Sequence, residues 1–272
     1  MSLCTLYFQG GLNYFLANDK PDGRIGYPLK RRASVKDLIE SLGPPHTEIG
    51  EIRANGHKVG FDFIVSGGDV LMIKPLVPPV DPRRSTLLRP EPVPCFQFVV
   101  DVNVGKIAML LRSLGFDTAY HWTWRDHRIA ALAHAEQRIV LTRDIGLLKR
   151  KTVTWGLFVR AEEPDAQLRE VLHFFGLHPP FDLFSRCLRC NSLLRKVDKQ
   201  AIIHRLEPKT RKYFQEFSLC PDCRRIYWAG SHQEKLLRRI EAAVGEDPGR
   251  WTDRWKIQSQ GNCNRPEGDN GQ

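Results

Sequence analysis

Between residues 96 and 176 short apolar runs alternate with stretches of helical periodicity, and no other feature constrains the fold as much. "FQFVVDV", "FDTAY", "RIVLT" and "GLFVR" have the length and the β-branched or aromatic content of strands. Between the first two, "VGKIAMLLRSLG" places Val104, Ile107, Ala108, Leu111 and Leu114 on one helical face and stops at Gly115. "DHRIAALAHAE" reads as a helix with Asp126 at its N-terminus, and "PDAQLREVLHFFG" as one opened by Pro164. This order implies an α/β unit with a mostly parallel sheet flanked by helices. In open sheets of that kind, sites gather beyond the carboxyl ends of the strands. Asp101 and Asp144 both stand at such ends.

Upstream, residues 1–77 predict a smaller α+β unit. Strand-like stretches at 3–8 and 25–29 precede "SVKDLIESLG". There Ser34 can cap a helix, Val35, Leu38, Ile39 and Leu42 give it an apolar stripe, and Gly43 ends it. Two more strand regions come next, with turn signals at Asn55-Gly56 and Gly67-Gly68. Residues 78–94 carry Pro78, Pro79, Pro82, Pro90, Pro92 and Pro94, the composition of a stiff linker that separates this unit from the rest of the chain. The α/β unit then takes residues 95–180, a cysteine-bearing unit 181–240, and a tail rich in Gly, Asn, Gln and charge 241–272, which reads as disordered.

A net charge of +10 favours a polyanionic partner, nucleic acid before membrane. The apolar runs are too short to span a bilayer and no leader opens the chain, so the expectation is a cytoplasmic protein without a membrane partner. Of seven cysteines, four form two Cys-x-x-Cys pairs, Cys187/Cys190 and Cys220/Cys223. This pattern points to a metal site in a reducing compartment. Four thiolates suit tetrahedral zinc, and a site closed by four cysteines is structural rather than catalytic. A redox reading needs one such pair in a thioredoxin-like setting, which is not evident.

Metal-assisted hydrolysis of a phosphodiester needs carboxylates converging on Mg²⁺ or Mn²⁺. The candidates are Asp101, Asp126 and Asp144, supported by Asn103, Asp117 and Lys106. Each acid has a plainer role to weigh: Asp126 as a helix N-cap, Asp117 finishing a turn, Asp144 pairing with Arg143 or Lys149. Asp101 resists one, because an acid closing "FVVD" is costly near a core unless paired or bound to a cation. Arg143, Lys149, Arg150 and Lys151, with Lys106 and Arg112, are placed to contact phosphates. Trp122 and Trp124 can stack on bases, although core packing is the better reading for at least one of them.

Two stretches, "FVVDVNVGKIAMLLRSLGFDT" and "DHRIAALAHAEQRIVLTRDIGLLKRK", resemble the PIN superfamily of metal-dependent ribonucleases. That family has an acid after its first strand, another opening a D-x-x-I-A-A helix and another in T-R-D, matching Asp101, Asp126 and Asp144. The nearer resemblance is to the Mut-seven C-terminal ribonuclease type, a PIN-like domain followed by a zinc ribbon and often preceded by a β-grasp unit. "ANGHKVGFDFIVSGGDVLMIKP" is in turn similar to the ubiquitin-like β-grasp of sulfur carriers, without their free terminal Gly-Gly. The resemblance implies a Mg²⁺- or Mn²⁺-dependent ribonuclease acting on RNA, a structural zinc at Cys187, Cys190, Cys220 and Cys223, and a protein partner for the β-grasp unit. One departure stands out: no Glu lies between Asp101 and Asp126, where many PIN nucleases carry one. That departure keeps a second reading open, a non-catalytic zinc-ribbon protein that binds RNA or serves as an adaptor.

Overall fold

The computed structural model describes residues 2–16 and 22–245. Of the tail expected from residue 241, residues 246–272 lie outside the described residues, and 241–244 are helical.

The N-terminal unit is a five-stranded sheet of β1 (Ser2–Phe8), β2 (Arg24–Leu29), β3 (Ile49–Ala54), β4 (His57–Lys58) and β5 (Val70–Pro75), in the order β2-β1-β5-β3-β4. β1 runs parallel to β5 and antiparallel to β2, and α1 (Val35–Leu42) packs its apolar stripe on the sheet. The local signals act as the sequence predicts. Ser34 Oγ accepts the Asp37 N–H at 3.1 Å. Asn55 and Gly56 take φ of 50° and 87° to turn β3 into β4. At Gly43 (φ 132°) a Cβ would lie 1.8 Å from the Phe15 carbonyl oxygen, so only glycine lets the helix end pass that loop.

The second sheet contains β6 (Gln97–Val100), β7 (Asp117–Ala119), β8 (Ile139–Thr142) and β9 (Gly156–Phe158), all parallel, in the order β7-β6-β8-β9. Side chains alternate across it. Phe98, Val100, Ile139 and Leu141 join a core covered by α2 (Lys106–Ser113) and α5 (Pro164–Phe175). Val99, Val140 and Phe158 face α3 (Asp126–Ala135) and α4 (Ile145–Leu148). Burial on both faces explains the continuous apolar strands.

Past this sheet, β10 (Arg195–Val197), β11 (Phe217–Leu219) and β12 (Ile226–Tyr227) form a small antiparallel sheet. The short helices α6 (Lys199–Ile202) and α7 (Pro208–Tyr213) are inserted after β10, around a core of Ile202, Leu206 and Phe217. The chain then returns: α8 (Ser231–Val244) buries Leu236, Ile240 and Ala243 in the α2/α5 core, and Arg239 pairs with Asp165 at 2.6 Å.

Residues 78–94 do not hold the units apart. Val80 and Val93 enter the core of the second sheet and Leu88 that of the first. Arg89, 1% exposed, donates to the carbonyls of His46, Thr47, Ile49 and Thr154 at 2.8–3.2 Å, with its guanidinium 4.7 Å from the Trp155 ring centroid. Burial holds that guanidinium down at about 10 despite the Glu48 carboxylate. Around it, His46 links Glu40 Oε1 to the Val153 carbonyl, each at 2.7 Å, and Glu48 accepts the Phe158 N–H at 3.0 Å and pairs with Arg160 at 2.7 Å. Phe15 of the first unit is buried in the α3/α4 core of the second.

Replacing Arg89 by Ala removes a buried donor from each of these four carbonyls. A loss of about 3–4 kcal/mol is expected. Urea unfolding followed by tryptophan fluorescence checks it, and an unchanged midpoint would show that the strap contributes nothing.

Candidate active site

β6 connects to β7 on one side of it, while β8 pairs with its other side. The loops leaving β6 and β8 therefore diverge, which makes the carboxyl ends of these two strands the switch point at which such sheets form a crevice. Asp101, just past β6, is 5% exposed. Its Oδ1 accepts the Val102 N–H at 2.6 Å, and its Oδ2 accepts from Asn103 Nδ2 and Thr142 Oγ1, each at 2.7 Å. These donors answer the cost of an acid at a strand end.

Thr142 ends β8, and its hydroxyl oxygen also accepts the Asp144 N–H at 2.9 Å. Asn103 Oδ1 accepts the Arg143 N–H at 3.0 Å. Asp144 Oδ1 caps α4 by accepting from the N–H groups of Gly146 (2.6 Å) and Leu147 (3.3 Å). Asp101, Asn103, Thr142 and Asp144 thus form one network across two strand ends. The sequence pattern missed Thr142 as a member. Its signal was a hydroxyl ending an otherwise apolar buried run, in T-R-D.

Asp126 opens α3 as its first residue, and Arg125 rather than Asp126 occupies the N-cap. The Asp126 side chain is 40% exposed, with Arg150 at 3.7 Å. Among the described residues, the acids do not gather as three or more with ligand atoms within 4.8 Å of one another; the four cysteines do.

Asp117 does not support this crevice. It begins β7 opposite Gln97, at the amino end of the sheet. There Arg138 (2.5 Å), Arg186 (3.3 Å) and Asn191 Nδ2 (2.9 Å) surround it. Burial alone would raise its carboxyl, but Arg138, Arg186 and Asn191 outweigh burial and hold it below the usual carboxylate range.

The cations separate in the same way. Lys149 Nζ donates to the Glu40 carbonyl at 2.6 Å, joining the two units instead of facing the crevice, and burial lowers its ammonium against the opposing Glu40 carboxylate. Arg112 is buried, donating to the carbonyls of Thr118, Leu188 and Arg189. Arg143 braces the carbonyls of Arg160 and Ala161 at 2.8 and 2.9 Å. Arg150 is exposed beside Asp126. Lys106 and Lys151 are exposed and make no ion pair among the described residues. Trp124 packs on the α3/α4 core, whereas Trp122 is 71% exposed and stacks with His121 at 6.0 Å.

The cysteines meet as two matched knuckles. Cys187 and Cys223 Sγ lie 3.5 Å apart, Cys190 and Cys220 Sγ 3.4 Å. Tetrahedral sulfurs around zinc stand about 3.8 Å apart, so the set fits that ion. Each knuckle turns back on a left-handed residue, Asn191 (φ 75°) and Arg224 (φ 60°), and aims an N–H at its first sulfur. Burial raises the Cys190 thiol, but bonds with Ser192, Cys220 and Cys187 outweigh it and bring it to about 6. Burial pushes Cys223 up to about 12.

A family model described as Mut7-C RNAse domain matches residues 96–240, and one described as Mut7-C ubiquitin matches residues 1–81. No curated protein and no solved structure matches the chain. No helix among the described residues is long and apolar enough to cross a membrane.

The Asp117 geometry sets a pH dependence. Its carboxyl sits lower in the folded than in the unfolded chain, so its contribution is present above about pH 4 and lost as pH falls through the folded value. Asp117→Asn should lose about 2–3 kcal/mol at pH 7 and less at pH 3. Denaturation midpoints of both proteins at the two pH values test this; parallel curves would refute it.

Proposed function

We propose that this chain, which belongs to the Mut7-C RNAse domain family, hydrolyses RNA phosphodiester bonds with Mg²⁺ or Mn²⁺ held at Asp101, Asp144 and Asp126. The observation that carries the reading is the pair of acids at the carboxyl ends of β6 and β8, tied together by the Thr142 hydroxyl. The donors are hard oxygens, the type that suits Mg²⁺ and Mn²⁺. Mg²⁺ keeps several waters and takes only one or two carboxylates directly, so it does not require all three acids as ligands. When bound, the ion neutralises charge on the phosphate and makes water acidic enough to attack.

The chain's own residues do the positioning. Val102 N–H, Asn103 and Thr142 fix the Asp101 carboxylate, and the α4 cap fixes Asp144 Oδ1, leaving its second oxygen without a hydrogen-bond partner among the described residues. Lys106 and Lys151, exposed and without an ion pair among the described residues, supply positive charge for the RNA backbone. At the cysteine cluster, zinc would hold the ribbon and take no part in the reaction, because four thiolates leave no open position. The ubiquitin-like unit is a candidate docking module for a protein partner.

A second reading, an RNA-binding protein that does not cut, is favoured by the missing Glu between Asp101 and Asp126 and by the spread of the acids. One assay separates the two: incubation with single-stranded RNA in Mg²⁺, Mn²⁺ or no added divalent ion. Metal-dependent cleavage should fall at least about 100-fold in Asp101→Asn and Asp144→Asn, and about 10- to 100-fold in Thr142→Val, which keeps shape and removes the bridge. Binding without cleavage under all conditions would leave the second reading in place. Zinc removal should abolish hydrogen-exchange protection of residues 187–227 while β6 and β8 stay protected. Equal protection with and without the ion would refute a structural zinc.

A further inference from the structure

The carboxyl edge of the second sheet continues beyond the acids in both directions. At one end, the loop after β7 presents Trp122. At the other, Phe158 ends β9 in register with Thr142, and a residue of the N-terminal unit stands against it. That residue is Tyr14. Its ring centroid lies 5.6 Å from that of Phe158 and 5.2 Å from that of Phe15, which is itself buried in the α3/α4 core. The Arg160 guanidinium sits 5.9 Å from the Tyr14 ring and 5.8 Å from the Phe158 ring, while pairing with Glu48. Tyr14 is therefore held from below by two rings and a fixed cation, yet it is 63% exposed.

The ring is braced yet keeps an open face, and it stands at the β9 end of the carboxyl edge, where single-stranded RNA crossing the acids would arrive. From β7 to β9 the sheet spans three inter-strand gaps, about 14 Å. Trp122 and Tyr14 bracket that span, with Asp101 and Asp144 between them and the exposed Lys106 and Lys151 in the same region of chain. Aromatic platforms at intervals beside cations are how proteins hold single strands without reading sequence.

We propose that Tyr14, from the ubiquitin-like unit, is a positioning residue that stacks on a base of single-stranded RNA, so that this unit completes the substrate groove. The proposal rests on the ribonuclease reading. It assigns the N-terminal unit a task within the substrate site, and it makes single-stranded RNA the substrate class, since duplex bases offer no free face to a ring at the groove's end.

The test measures binding of a short fluorescein-labelled single-stranded RNA by anisotropy, over a salt series, in full-length protein carrying Asp144→Asn so that the RNA stays intact. Adding Tyr14→Ala should raise Kd roughly 5- to 100-fold, as expected for one lost stack, and leave the salt slope unchanged. Tyr14→Phe should restore binding. Lys106→Ala should instead reduce the slope by about one, the signature of a phosphate contact. Thermal melting of each variant shows whether the unit remains folded. If Tyr14→Ala binds RNA as tightly as its parent, the inference fails and the ribonuclease reading stands. If the Asp144→Asn protein binds no RNA and the unsubstituted chain cuts none, both fail together.

Discussion

A guanidinium buried with no carboxylate in contact is a poor stabiliser unless backbone oxygens take every proton it offers. Arg89 comes close to that condition, giving four of its five N–H protons to carbonyls from the turn before β3, from β3 itself and from the loop before β9. Each partner comes from a segment at the boundary between the two units. The consequence is geometric: the two units share one buried seam, and Phe15 and Tyr14 are fixed against β9 instead of swinging on a proline-rich tether. Without that seam the N-terminal unit would be a flexible appendage, and no surface residue on it could be aimed at the crevice.

The crevice depends on a smaller linkage. Thr142 donates its hydroxyl proton to Asp101 and accepts the Asp144 N–H, so a single side chain sets the separation of the two acids. A valine there would preserve the strand and dissolve the linkage. Because the bridge is made of short hydrogen bonds between neighbouring strand ends, it is as rigid as the sheet. A rigid pair of carboxylates suits an ion with strict octahedral demands.

The elements were legible where the deciding physics is local. The Ser34 cap, the Asn55-Gly56 turn and the two cysteine knuckles each involve residues a few positions apart, and the structure has them where the pattern predicts. The cations were not legible. Lys149, Arg112 and Arg89 bind backbone carbonyls up to 109 positions away, and a carbonyl leaves no mark on a sequence. Asp117 misled for a related reason. The strand Asp117–Ala119 is too short for an alternation pattern, and only the pairing register shows that Asp117 stands at its amino end. The proline-rich stretch misled too, since its composition describes backbone stiffness and not what Leu88 and Arg89 will be buried against.

The ribbon solves a problem that the second sheet creates. β7 is an edge strand, and an open edge invites pairing with another chain. Here the Thr118 N–H donates to Asn191 Oδ1, and the Thr118 carbonyl accepts twice from Arg112, which also grips the carbonyls of Leu188 and Arg189 in the first knuckle. The left-handed turn at Asn191 that closes the knuckle is thus the same turn that caps the sheet. An ion bound by the cysteines would hold that turn in shape, and so protect an edge strand whose other neighbour, β6, leads directly to Asp101. The cysteine cluster and the acids at the ends of β6 and β8 thus depend on the integrity of one short strand.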